Sequence, residues 1–125
     1  YMSERYAFGK SINKFQALRH AYSDAYAHMV VCKEFNYSVT HRMNKGEYVV
    51  KEATISKLQS TKMADEVIYQ CLQFLGGYGY MEEYPMARLL RDSRLGPIGG
   101  GTSEILREII AKMTLDGKDY KPATK

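Results

Sequence analysis

No stretch of this sequence approaches the roughly 20 consecutive apolar residues that cross a bilayer as a helix, so a membrane span of that kind is excluded. No segment alternates polar and apolar residues for long enough to make a sheet, which excludes the usual β architectures. The first ten residues, YMSERYAFGK, are polar and aromatic and lack the apolar run of a secretory signal. Cysteine is scarce, with Cys32 and Cys71 far apart and neither in a CxxC pair. A metal site or a disulfide framework is therefore not expected, and both are read as free thiols in a reducing compartment. Charge of one sign is not strongly in excess either. The net charge of +4 is assigned largely to Lys112, Lys118, Lys121 and Lys125, while the basic residues elsewhere alternate with acids. This pattern reads as a solvated surface and not as a nucleic-acid or membrane face.

What remains is one domain's worth of chain: 125 residues, 45% hydrophobic and 26% charged, enough for a modest single core. Because it opens on Tyr1 and not on methionine, it is expected to be a piece of something longer. A three-four spacing runs through Phe15, Leu18, Tyr22, Ala25, Met29, Cys32, Asn36, Val39 and Met43 without a proline, which predicts a helix on the order of 45 Å long. Gly46 is the break. A second stripe, Val50, Thr54, Leu58, Thr61, Ala64, Ile68, Leu72 and Leu75, ends at Gly76-Gly77. Two such helices joined by a short turn form an antiparallel hairpin. Gly76 to Tyr80 then reads as a glycine-rich turn, and Pro85 as an early residue of a short helix from Tyr84 to about Ser93. Thr102 or Ser103 is the expected N-cap of a last helix reaching about Met113, with Glu104 near the positive end of its dipole. Gly117 ends it, and 118–125 is expected to be a flexible tail after a domain at 1–117. The fold class is all-α, an up-and-down helical bundle. Tyr26, Val30 and Tyr37 on the flanks of the first stripe give more apolar surface than one partner helix buries, so a further helix or subunit is expected to cover it.

The residues alone offer little chemistry. His20, His28 and His41 fall on differing faces of one helix and read as surface or packing residues. Glu82-Glu83 and Arg91-Asp92 suit a solvated short helix. Gly99-Gly100-Gly101 before a helix start is more suggestive, because bare backbone N–H groups there are able to face an anion or a carbonyl.

Three segments carry more: ERYAFGKSINKFQ at Glu4–Gln16, QFLGGYGYMEEYPMARLLRDSR at Gln73–Arg94, and PIGGGTSEILREIIAK at Pro97–Lys112. In this order and spacing they resemble the C-terminal helical domain of the acyl-CoA dehydrogenase family, over essentially the whole chain. Many of the matching residues sit in loops, where no helical periodicity demands them. The resemblance implies FAD as cofactor and α,β-dehydrogenation of an acyl-CoA to a trans-2-enoyl-CoA. It also implies an electron-transferring flavoprotein as acceptor and a homo-oligomer, usually a dimer of dimers. Carried over residue by residue, Arg5 matches the arginine that reaches the FAD diphosphate of a neighbouring subunit. Phe8 matches the aromatic beside the adenine, and Gln16 a further nucleotide contact. Gln73 to Gly77, with Gly76 and Gly77 as bare backbone, match the stretch that approaches the FAD from the partner subunit. Thr102 and Glu104 match contacts to FAD at the start of the last helix, and Gly101 lies by the thioester.

The departures from the family pattern are informative. Many members place a glutamate, the α-proton acceptor, directly before the Gly-Thr pair, and here that position is Gly100. No residue of this chain is then expected to be the catalytic base. The long-chain and isovaleryl-type members carry the glutamate on an earlier helix, which here would precede Tyr1 and would also be the missing long helix of the bundle. Gly99 stands where a tyrosine is common, which is expected to open the acyl pocket to a long or bulky chain. The implied compartment is the cytoplasm in a bacterium and the mitochondrial matrix in a eukaryote. The competing reading, a non-enzymatic helical interaction module, requires basic and aromatic residues gathered on one face and leaves the three segments unexplained. A catalytically inert homologue is the rival within the family.

Overall fold

The structure, a computed structural model, describes residues 1–120. Its order is a two-stranded ribbon, β1 Tyr6–Ala7 and β2 Lys10–Ser11, a 3-10 turn at Ile12–Lys14, and five helices: α1 Gln16–Asn44, α2 Val50–Leu75, α3 Gly77–Tyr80, α4 Pro85–Ser93 and α5 Ser103–Thr114. The helical class and the α1–α2 hairpin match the sequence expectation. No proline falls between Phe15 and Tyr84, so both long helices keep their hydrogen-bond ladders intact. Gly46, at φ +80°, turns the chain between them.

Helix α2 is the centre of the molecule. It packs against α1, α3, α4 and α5, whereas α1 packs mainly on α2 and on the 3-10 turn. One line of the predicted α1 stripe faces α2 along its length, and the other meets it at Asn36. Cys32 and Val39 are buried and Leu18 and Ala25 half-buried on the first line, with Ala21, His28 and Phe35 beside them. The other line, with Tyr22, Met29 and Met43, is exposed. The stripe reads as one face in the sequence, yet its width suits two neighbours, of which the described residues supply one. Tyr26 and Tyr37 keep 53% and 60% of their surface, while Val30 is half-buried. The buried apolar set is correspondingly small: Cys32, Val39, Val49, Phe74 and Leu106.

The α1–α2 seam is pinned by polar bonds at its middle. The Asn36 amide donates to the Ser60 hydroxyl at 3.0 Å and accepts from the Ser56 hydroxyl on its carbonyl side. Ser56 and Ser60 are one turn apart on α2, so this amide fixes the axial register of the pair. At the α1–α2 turn, Arg42 binds Glu47 at 2.8 Å and Glu52 at 3.3 Å. The hydrogen bond from its own backbone N–H, and then the Arg42 guanidinium, hold the Glu52 carboxyl below the usual carboxylate range.

Three local features depart from expectation. The Tyr6–Ser11 ribbon was not foreseen, because two residues per strand are too short to alternate visibly. Its two-residue loop, Phe8-Gly9, has φ of +52° and +79°, the handedness a tight hairpin requires. The expected turn at Gly76–Tyr80 closes into the helical turn α3. At the other end, Lys118 donates its N–H to Lys112 at 3.1 Å, and the Tyr48 hydroxyl donates to the Tyr120 carbonyl at 2.7 Å. Lys121, Lys125 and the rest of the expected tail, 121–125, lie outside the described residues.

Asn36→Ala removes the seam's amide and is expected to cost about 1–2 kcal/mol in urea denaturation. Thr40→Ala, whose exposed hydroxyl bonds only its own helix, should stay within about 0.5 kcal/mol of the parent. Because the Glu52 pKa is depressed in the folded state, its contribution is present above the ordinary carboxylate pKa. It is lost as pH falls through the depressed value. Glu52→Gln is therefore expected to destabilise by up to about 1 kcal/mol at neutral pH and to match the parent once both are acidified below that value.

Candidate functional site

The glycine segment after α2 is built for close approach. Gly76 has φ +56° and ψ −133°, a backbone state that only glycine takes readily, and its N–H bonds Gln73 at 3.1 Å. A Cβ placed on Gly76 or Gly77 would meet nothing within 4 Å, so bare main chain opens onto free space. Gly79 differs, since a Cβ there would lie 2.5 Å from the Leu72 carbonyl oxygen. Its missing side chain lets α3 fold back against α2.

Arg5 is brought to this segment by the ribbon. Its carbonyl accepts the Ile12 N–H at 2.8 Å and its N–H bonds Tyr1 at 2.8 Å. Arg5, Gln73, Gly76 and Gly77 thereby line one open cleft of about 810 Å³, with Ile12 and Phe74 among its apolar walls. Tyr78 stands edge-on to Tyr1 at 5.8 Å between ring centres. Tyr1, Tyr78 and Met81 also line the cleft and were not among the sequence candidates. Their only sequence signal was proximity to Gln73 or Arg5.

Phe8 and Gln16 do not line that cleft. Phe8 sits at the ribbon tip, 94% exposed, its ring edge-on to Phe15 at 6.2 Å. Left-handed backbone is unusual for a bulky residue, and the strain presents an aromatic ring to the outside. Gln16, the first residue of α1, lines a separate cleft with Lys14, Arg19, His20 and Ser23.

The second glycine segment lies toward the other end of α2. Gly99 N–H bonds Leu95 at 2.7 Å and Ser103 N–H bonds Pro97 at 3.0 Å, closing the loop on itself. Gly100 and Gly101 have φ of +64° and +97°. A Cβ on Gly100 would meet nothing within 4 Å, so the position is open but its backbone suits glycine. Thr102, not Ser103, is the N-cap of α5, its hydroxyl accepting the Ile105 N–H at 3.4 Å. Glu104 is exposed and paired with Arg107 at 3.1 Å. The hydrogen bond from its own N–H, and next the Thr102 hydroxyl, hold its carboxyl below the usual range. The loop is also tied to α2 by Lys57, whose ammonium donates to the Gly101 carbonyl. Sequence reading passed over Lys57. Its signal was a cation standing between Thr54 and Thr61 at helical spacing inside an apolar seam.

The two glycine segments do not converge. Lys57 and Gln73 are 73 − 57 = 16 residues apart on one helix, roughly 24 Å by helical rise. Gly100, Gly101, Thr102 and Glu104 thus belong to one location, and Arg5, Gln73, Gly76 and Gly77 to another.

The remaining candidates are placed as surface and packing groups. His28 meets Glu66 at 3.5 Å. Among the described residues no group of three or more His, Cys, Asp or Glu is arranged to hold a metal ion, and no helix is long and apolar enough to cross a membrane. Cys32 and Cys71 are free, and burial pushes both thiols up. Much of the basic surplus faces acids: Arg42, Lys62, Arg91, Arg94, Arg107 and Lys112 all have carboxylate partners.

The fold is thus a helical domain in which one long helix carries two glycine turns, each opening backbone to free space. Residues 1–115 match the family model described as "Acyl-CoA dehydrogenase, C-terminal domain", and the chain belongs to this family. It is 36% identical over 112 residues to the mitochondrial isovaleryl-CoA dehydrogenase of Bos taurus, covering 90% of this chain and 26% of that protein. It is 35% identical over 118 residues to the mitochondrial long-chain specific acyl-CoA dehydrogenase of Sus scrofa, covering 94% and 27%. The crystal structure of acyl-CoA dehydrogenase from Geobacillus kaustophilus superposes with a TM-score of 0.89 at 34% identity, over 90% of this chain and 30% of that one. The chain thus spans about a quarter of the length of the curated relatives it matches.

Gly79→Ala forces its new methyl against the Leu72 carbonyl and is expected to cost about 1–3 kcal/mol in a denaturation midpoint measurement. Gly77→Ala, with open space and ordinary φ, is expected within about 0.5 kcal/mol of the parent.

Proposed function

We propose that this chain, as a domain at 1–117 with a tail at 118–125, is the cofactor-contacting and oligomerising domain of an FAD-dependent acyl-CoA dehydrogenase. The observation that carries the reading is the convergence of Arg5, Gln73, Gly76 and Gly77 on one cleft. A guanidinium, a planar amide and bare backbone suit a diphosphate: charge, directed hydrogen bonds and close approach. A side chain at Gly76 or Gly77 would project into this same space, so the residues present fit the group. FAD, when bound, supplies the hydride acceptor for α,β-dehydrogenation of an acyl-CoA to a trans-2-enoyl-CoA. Arg5, Gln73, Gly76 and Gly77 would hold the adenosine-diphosphate portion of one cofactor, with Phe8 against its adenine and Gln16 as a further contact. Thr102 and Glu104 would face a second cofactor from the α5 start. The two segments are read as contacts to two flavins in a homo-oligomer, a dimer of dimers, as the family resemblance implies.

Gly100 and Gly101 would border the acyl thioester. With glycine at 100, this chain offers no base there, so the α-proton acceptor is proposed to be a glutamate on a preceding helix, as in the long-chain and isovaleryl-type branch. The exposed Tyr22, Met29 and Met43 line of α1 is a face that such a helix would cover. An electron-transferring flavoprotein is the proposed acceptor. The proposed compartment is the mitochondrial matrix in a eukaryote and the cytoplasm in a bacterium.

In the full-length parent, Arg5→Ala is expected to weaken FAD binding about 10- to 100-fold, the worth of a charge-assisted hydrogen bond; unchanged cofactor retention would overturn the assignment of the cleft. Changing the glutamate of the preceding helix to glutamine should stop α-proton exchange while acyl-CoA still binds. Continued turnover in that variant would sink the branch assignment. The 125-residue chain alone is expected to purify without a stoichiometric yellow chromophore, and finding one would contradict a cofactor site shared with other parts of the parent.

A further inference from the structure

Lys57 and Thr61 stand at i and i+4 on one face of α2, and both touch the loop before α5. The Lys57 ammonium donates to the Gly101 carbonyl. A Cβ on Gly96 would lie 3.1 Å from the Thr61 methyl, so the loop's start is pressed onto the next turn of the same helix. Internal bonds hold the loop's ends, Gly99 to Leu95 and Ser103 to Pro97. Gly100 and Gly101 lie between those bonds, both at positive φ, and glycine has the most backbone freedom to lose. A tether from outside the loop is what this stretch requires, and Lys57 supplies it across 44 residues of sequence.

The tether also has an electrical consequence. A cation on a peptide oxygen draws electron density through the amide and strengthens the donor on the other side of the same peptide. Here that donor is the Thr102 N–H, at the start of α5.

We propose that Lys57 is a positioning residue for the acyl-thioester end of the substrate site. It holds the Gly100–Gly101 backbone in one conformation and raises the donor strength of the Thr102 N–H. The role in turnover rests on the dehydrogenase reading given above; the role in holding the loop does not.

The test uses the full-length parent and two variants, Lys57→Met, which keeps the aliphatic stem, and Lys57→Arg, which restores charge and donors. In Lys57→Met, amide exchange over Gly99–Glu104 is expected to speed up about tenfold or more, the worth of one charge-assisted bond, with Gln73–Gly77 unchanged and FAD retained. The acyl-CoA oxidation kcat is expected to fall by about tenfold or more with a smaller change in KM, because a donor tuned for developing charge acts in the transition state. Lys57→Arg should recover part of both losses. If Lys57→Met does not fold, Lys57→Gln, which keeps a neutral donor, is read in the same two ways. Unchanged exchange in the loop overturns the proposal whether or not the parent is a dehydrogenase. Faster exchange with unchanged kcat overturns the catalytic half. A wild-type parent that oxidises no acyl-CoA refutes the dehydrogenase reading, and the exchange result alone then decides whether Lys57 holds the loop.

Discussion

Helix α2 has to satisfy neighbours on several sides at once. It receives α1 along one face, α4 and α5 along others, and α3 folded back on its own C-terminal turn. Each contact demands a different residue type at a specified place. Serines meet the Asn36 amide, Thr61 accepts the bare backbone of Gly96, the Leu72 main chain meets Gly79, and Lys57 reaches the Gly101 carbonyl. An apolar stripe alone would let the helices slide and rotate against each other. These polar and close-backbone contacts remove that freedom, so both glycine segments are placed relative to one rod.

This arrangement explains why so small a core suffices to define geometry. Few side chains are buried, yet the two glycine segments sit at fixed positions along α2, roughly 24 Å apart by helical rise. A domain with such a spacing serves as a ruler between two stretches of bare backbone. The Arg5 cleft at one end gathers a cation and bare backbone, and the α5 start at the other gathers backbone donors and the Thr102 cap. The open line on α1 belongs to the same picture, since a helix apolar on two sides expects two neighbours.

Much of this was legible in the sequence, for identifiable reasons. The long helices declared themselves through unbroken three-four spacing and through Gly46 and Gly76 at their ends. Pro85 marked the start of α4, and Thr102 or Ser103 the start of α5. What escaped notice was either too short or too distant. The ribbon at Tyr6–Ser11 has two residues per strand, and its Phe-Gly corner lacks the Asn-Gly or Asp-Gly signature of such turns. Which line of α1 faces α2 depends on how many neighbours the helix has, and that number is not written in its own residues. Lys57 meets Gly101 across 44 residues, a pairing that no local pattern announces. The nearness of Arg5 to Gln73 was carried by family resemblance alone, because composition and periodicity are silent on which loops meet.

Phe8 carries a consequence for anyone who tries to improve this protein. It is a bulky aromatic in left-handed backbone at a ribbon tip, almost wholly exposed. Left-handed geometry costs an ordinary residue about 1–2 kcal/mol, so glycine or asparagine at this corner would relax the turn. A screen that selects only for thermal resistance in the separated chain would favour that exchange early. It would then discard the ring that the ribbon holds out at its tip. Under the proposed adenine contact, durability and usefulness pull in opposite directions at this corner, and a gain in the first is a warning about the second.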